Sequence, residues 1–278
     1  LSVYYRMGRK IFSKIIIIAG ILLLCYPVIS SMMSRQQLKN TISSYKSSVS
    51  QESKNDLESE LEKAQKYNSM LFQASGAIIE NLDFSILSDE SYDSLLSQGD
   101  SGIMGSIEIP KIDVDLPIYH GTSDEVLSNG VGHQQGTSLP VGGNNTHCVL
   151  TGHRGLPGSK LFTRLDEIEK DDLFYISVCG ETLAYQVYDI QVVDPDNTDV
   201  MKILPDEDAV SLVTCTPYGL NTHRLVVTGK RVPYKKAQYK SIEQNIPSIR
   251  EIIFTALPIV LIVILLIWKI KDWRRKAL

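Results

Sequence analysis

The stretch Leu212–Arg224, LVTCTPYGLNTHR, closes an apolar run on a cysteine and reaches an arginine nine residues later. The run before Cys215 has strand character, TPYGLN supplies turn residues, and RLVVTGKRV resumes a strand. This reads as a hairpin: Cys215 ends one strand and Arg224 begins its antiparallel partner, so guanidinium and thiol return near each other. A cysteine so placed is a small buried hydrophobe, half of a disulfide, a metal ligand or a nucleophile. Its company elsewhere in the chain must decide.

Working outward, residues 99–238 alternate short β-rich runs with Gly, Pro, Asn and Asp. SIEIPKIDVDLPIYHG, HCVLTGH, LFYISVCG, LAYQVYDIQVV, VSLVTC and RLVVTGKRV follow one another at short intervals. Many short strands in so few residues predict a mainly β domain, a closed barrel or sandwich. Only KLFTRLDEI and SDEVLSNG read as helical within it. No internal repeat, phosphate loop or low-complexity tract is present.

Residues 34–98 are polar and free of proline, with Leu57, Leu61, Ala64 and Leu71 near helical spacing and a capping box at Ser53 and Asp56. They predict a helical extracellular stalk, followed by a linker at 239–251 on the far side of the β domain. Ile15–Met33 and Ile252–Trp268 contain no charged side chain and have the length of membrane-crossing helices. Basic residues flank both, within 1–14 and 269–278, so both tails are expected in the cytoplasm and the domain between them outside. No small-residue cleavage site follows the first span, which is therefore expected to be retained. The formal charge of −4 leaves −12 for residues 15–268, which argues against nucleic acid as a partner.

Four cysteines, at 25, 148, 179 and 215, form no C-x-x-C pair and no zinc ribbon. Cys148 and Cys179 lie in apolar, strand-like surroundings and read as buried free thiols rather than a disulfide. A nucleophilic Cys215 needs a proton donor for the leaving amine and a group for the oxyanion. His153 follows an apolar strand and opens a loop rich in Gly and Pro, a position that presents a side chain to a groove. His120, His133 and His147 read as turn or surface histidines. His223 shares its phase with Leu225 and Val227, so if those face the interior, Arg224 faces out. An arginine there donates to a developing oxyanion without titrating, and Cys215, His153 and Arg224 become a candidate catalytic set.

LTGHRGLPGSKLF and LVTCTPYGLNTHR resemble the two catalytic motifs of sortases, the cysteine transpeptidases of Gram-positive cell surfaces. Ser211 stands where that family usually has threonine. The likeness extends through GIMGSIEIPKIDVDLPIYHGT, GVGHQQGTSLPVGG and DLFYISVCGETLAYQV. With the second apolar segment, it looks most like class C, the pilin-polymerising sortases. The resemblance implies an eight-stranded barrel, with Cys215 as nucleophile, His153 as general acid/base and Arg224 as oxyanion or substrate stabiliser. It implies cleavage of an LPXTG-like signal between Thr and Gly through a thioacyl enzyme. It further implies resolution by an amine, in this class a pilin lysine, with no metal or cofactor. Where pilin sortases often carry an Asp-Pro-aromatic lid, this chain has Leu82, Asp83 and Phe84. Two other readings stand beside this one: a housekeeping-like sortase anchoring proteins to peptidoglycan, and a membrane-anchored binding ectodomain whose cysteine is structural.

Overall fold

The computed structural model describes residues 2–76, 88–97, 102–156 and 159–243, with scattered helical residues between 252 and 271. Eight strands carry the fold: β1 (Ile103–Ile109), β2 (Val114–His120), β3 (Val131–His133), β4 (Thr146–Thr151), β5 (Leu173–Val178), β6 (Glu181–Val193), β7 (Asp208–Thr216) and β8 (His223–Val232). They close in the order β1-β2-β3-β4-β7-β8-β6-β5, so the expected eight-stranded barrel is present. Closure leaves no sheet edge to pair with another chain.

Pro110 separates the first two strands as the sequence suggests. It opens a short 3-10 turn, Pro110–Ile112, and Asp113 takes a left-handed φ of 56° to send the chain back antiparallel. Period-two alternation then sorts the side chains. Met104, Ile107, Ile118, Leu150, Phe174, Leu212, Leu225 and Val227 fill the main core. Val149, Val213 and Val226 form a second, outer cluster, covered by Val193, Val200 and Met201. The segment joining β6 to β7 therefore lies over the outside of the β4-β7-β8 wall.

Helix α1 (Ser2–Gln51) and α2 (Lys54–Gly76) form where helix was expected. Ser53 caps α2, its Oγ accepting from the Asp56 amide at 3.2 Å. The two helices do not stand clear as a stalk. Ile42, Tyr45 and Val49 of α1 and Ala64, Tyr67 and Asn68 of α2 are buried. Asn68 docks by two points, its amide donating to the Leu139 carbonyl at 3.1 Å and its oxygen accepting from the Leu139 N–H at 2.7 Å. Tyr45 donates to the Met104 carbonyl, and Arg35 pairs with Asp113. A polar composition hid this docking because the buried stripe contains tyrosine and asparagine, whose polar ends find partners on the barrel.

Two further helices flank the barrel, α3 (Asp89–Ser94) and α4 (Asp124–Asn129), the latter matching SDEVLSNG with Ser123 as its cap. KLFTRLDEI does not become an α-helix. Leu161 has φ of 31°, and Leu165, Glu167 and Ile168 bond to carbonyls three residues back, leaving one 3-10 turn at Leu165–Glu167. Beyond the barrel, α5 (Lys236–Ser241) packs Tyr239 and Ile242 on Leu173, Tyr175 and Ala184. Among the described residues no helix is long and apolar enough to cross a membrane. Several residues of the second expected span, and Leu82, Asp83 and Phe84, lie outside the described set.

His133 and His147 are buried in the wall and are not the turn or surface histidines expected. Ser138 offers only a carbonyl to His133 Nε2 at 2.9 Å, so Nε2 carries the proton and Nδ1 accepts from the Tyr92 hydroxyl at 2.9 Å. Burial pushes the His133 pKa down to about 4, and His147 shifts the same way. The unfolded chain thus binds more protons between roughly pH 4 and 6.5, and stability rises with pH across that window. The His133 share is on the order of 3 kcal/mol, complete above about pH 6.5 and lost as the pH falls toward 4. Thermal unfolding of the full chain in detergent from pH 7.5 to 5 should show Tm falling, with a shallower slope in His133→Gln. An unchanged slope in that variant would contradict the assignment.

Candidate active site

The site is built by strand register. β4 runs parallel to β7, with Val149 opposite Ser211 and Thr151 opposite Val213. The pairing outlasts β4 by one residue: the Gly152 N–H donates to the Val213 carbonyl at 3.0 Å, and Thr214 Oγ1 donates to the Gly152 carbonyl at 2.8 Å. His153 follows directly, one residue past these last bonds. Cys215 pairs in turn with Arg224 across the β7–β8 hairpin. The β7–β8 hairpin thus pairs two of the three expected residues, and His153 follows β4, the strand beside β7, two residues after its end.

Cys215 and Arg224 also share a face. Leu150, Leu212 and Leu225 point into the core, whereas Val149, Val213 and Val226 point outward. Alternation puts Cys215 in phase with Val213 and Arg224 with Val226. Cys215 and Arg224 therefore lie on the outer surface, as the phase argument for Arg224 required. Arg224 Nη1 donates to the Asn221 and His223 carbonyls at 3.3 and 3.2 Å, which holds its guanidinium back over the hairpin turn.

Local sequence explains the presentation of His153. A Cβ on Gly152 would lie 2.7 Å from the Phe162 ring, so glycine is needed where the strand exits against that ring. The Phe162 N–H returns to the His153 carbonyl at 3.1 Å and closes the loop between them. Ser211 is not a lesser threonine but part of a buried chain, bonded at 2.8 Å to both His147 Nε2 and Thr228 Oγ1. Asn221 at φ 56° and Gly219 at φ 81° shape the hairpin turn.

Sequence reading missed Arg154. Its side chain is 3% exposed and pairs with Asp166 at 2.6 Å. An arginine next to a loop histidine gives no sequence signal of burial. None of the four cysteines is in a disulfide. Cys148 and Cys179 are buried, as expected, and burial raises both thiols, Cys179 to about 12. Cys215 is only half-buried. Among the described residues no cluster of His, Cys, Asp and Glu is placed to hold a metal.

A sortase-domain family model matches residues 107–232, the barrel from β1 to the end of β8. Sortase C1 from Streptococcus agalactiae is 43% identical, with a TM-score of 0.64 over 70% of this chain and 100% of that one. The chain belongs to the sortase family. A Clostridium perfringens sortase C, solved with a C-terminal cell wall sorting motif, is 42% identical with a TM-score of 0.59, covering 70% of this sortase and 99% of that chain. These structural neighbours are class C sortases. Sortase D of Bacillus subtilis is 34% identical over 131 residues, 46% of this chain and 63% of that protein. Sortase A of Streptococcus agalactiae is 30% identical over 152 residues, 52% of this chain. This sortase spans 63% and 61% of the length of those two curated relatives.

Exposure and thiol chemistry together predict selective labelling. Brief iodoacetamide treatment of the folded chain, followed by peptide mapping, should modify Cys215 well before Cys148 or Cys179. Equal labelling of all three would contradict the placement of Cys215 on an accessible face.

Proposed function

We propose that the chain is a membrane-anchored cysteine transpeptidase acting on LPXTG-like sorting signals. The observation that carries this reading is the pairing of Cys215 with Arg224 across the β7–β8 hairpin, with His153 following β4 on the strand beside β7. Cys215 attacks the threonine carbonyl, forming a C–S bond, while the Arg224 guanidinium donates to the developing oxyanion. His153 protonates the glycine amine as the C–N bond breaks, leaving a thioacyl enzyme. An acceptor amine then attacks the thioester, His153 takes its proton, and Cys215 departs.

A pilin lysine is the proposed acceptor. Two class C neighbours, a sortase C1 of a pilus island and a Streptococcus pneumoniae sortase C described with pilin substrate specificity, support it, and the sorting motif solved with the Clostridium perfringens enzyme supports a sorting-signal donor. Exposed apolar side chains on α1, among them Ile15, Ile18, Leu23 and Met33, support a first membrane span, and Ile259, Leu265 and Trp268 support a second. The basic flanks then keep both tails in the cytoplasm and the barrel outside. Such anchoring suits a substrate that is itself a membrane-retained precursor. Pilin and surface-protein precursors bearing the signal are the proposed donors.

The test pairs an LPXTG peptide with either a lysine-bearing pilin domain or a peptidoglycan-type amine. Cleavage and ligation should vanish in Cys215→Ala, and Arg224→Lys should lower kcat/KM by about 100-fold, the scale of losing an oxyanion donor. Preference for the peptidoglycan-type amine would assign an anchoring role instead. Turnover that survives in Cys215→Ala would refute the reading.

A further inference from the structure

The strand ladder that aligns the site stops one residue short of it. The last bonds between the two strands are those of Gly152 to Val213 and Thr214, and both His153 and Cys215 lie beyond them. One side chain spans the gap that follows. Arg154, next to His153, sends Nη1 to Thr216 Oγ1 at 3.3 Å, and Thr216 is next to Cys215. Nη2 is fixed by Asp166 at 2.6 Å, and the guanidinium carbon sits 5.8 Å from the centre of the Tyr218 ring in the hairpin turn. Tyr218 also covers the backbone at Gly155, where a Cβ would come within 3.0 Å of its ring. Nε is buried without a hydrogen-bond partner. A cation this enclosed, with one donor unsatisfied, is costly for stability alone.

We propose that Arg154 is a positioning residue that sets the separation of His153 and Cys215 by clamping the residue after each of them, with Asp166 holding the clamp in place. This rests on the transpeptidase reading for its catalytic consequence, but the geometry it governs can be measured without a peptide substrate. The clamp needs a planar fork. Two nitrogens reach different partners on different segments while the guanidinium carbon lies over the Tyr218 ring. A lysine ammonium has the charge but a single nitrogen, and cannot make the same set of contacts.

The experiment compares the full chain in detergent with Arg154→Lys, Arg154→Met and Asp166→Asn. Three readouts are taken: Tm, the pH profile of Cys215 alkylation, and kcat and KM on an LPXTG peptide. With His153 displaced, the alkylation profile of Cys215 should depart from that of the wild type. We expect Arg154→Lys to lower kcat by about 10-fold or more while KM changes less than about threefold, and Arg154→Met to lose more, so that lysine is a partial rescue. Asp166→Asn should shift both readouts in the same direction with a smaller loss.

Folded Arg154 variants with the wild-type alkylation profile and kcat would overturn the proposal. So would a loss of kcat that only tracks the loss of folded protein. If the Arg154 variants do not fold, Asp166→Asn decides: a wild-type profile and kcat there overturn the proposal, and a shift in both supports it. Should the wild type cleave no sorting peptide, the function reading fails, while the alkylation profiles still report on the clamp.

Discussion

Parallel pairing of β4 with β7 is the constraint on which the rest of the molecule depends. Parallel strands cannot be joined by a tight turn, so their alignment comes from the barrel as a whole. Thr151 opposite Val213 fixes where His153 emerges, and the β7–β8 hairpin fixes where Arg224 returns. A register slip of one residue would turn Cys215 into the core and a leucine or valine out to the surface. The buried residues on both sides of the wall make such a slip costly. Leu150, Leu212 and Leu225 fill the interior, while Val149, Val213 and Val226 are sealed from outside by Val193, Val200 and Met201.

The buried polar groups within this wall are paired side by side rather than left to water. His147 links the Lys202 carbonyl to Ser211, which bonds Thr228 on the next strand. His133 links Ser138 to Tyr92 of α3, and Tyr92 also accepts from the Gly121 N–H at 3.0 Å. The Tyr92 contacts tie the helical segment that precedes the barrel to β3, the neighbour of β4. Helices α1 and α2 add contacts of their own, Tyr45 to the Met104 carbonyl and Asn68 to Leu139.

The hairpin around Cys215, the barrel and the outward phase of Arg224 were legible because each follows from short-range pattern: alternation, turn residues and a period of two. His153 was legible as the histidine at a strand end before a Gly- and Pro-rich loop. What lay beyond reach depends on long-range partners. The docking of residues 34–76 is one such case, since Tyr45 and Asn68 read as solvated until Met104 and Leu139 are placed against them. The burial of His133 and His147 is another. Arg154 is the sharpest, because nothing in GHRG distinguishes a surface cation from one locked between Asp166 and Thr216. KLFTRLDEI misled for a related reason: its helical spacing is real, but Leu161 and the short turn that follows serve the loop rather than a helix.

The central claim is that His153, Cys215 and Arg224 work as one acyl-transfer site. The most direct measurement is mass spectrometry of the full chain quenched during turnover of an LPXTG peptide, with the modified residue located by digestion. The account predicts an adduct on the Cys215 peptide whose mass ends at the threonine of the signal, and no adduct in Cys215→Ala. Cleavage without any adduct on Cys215, or an adduct on another cysteine, would contradict it.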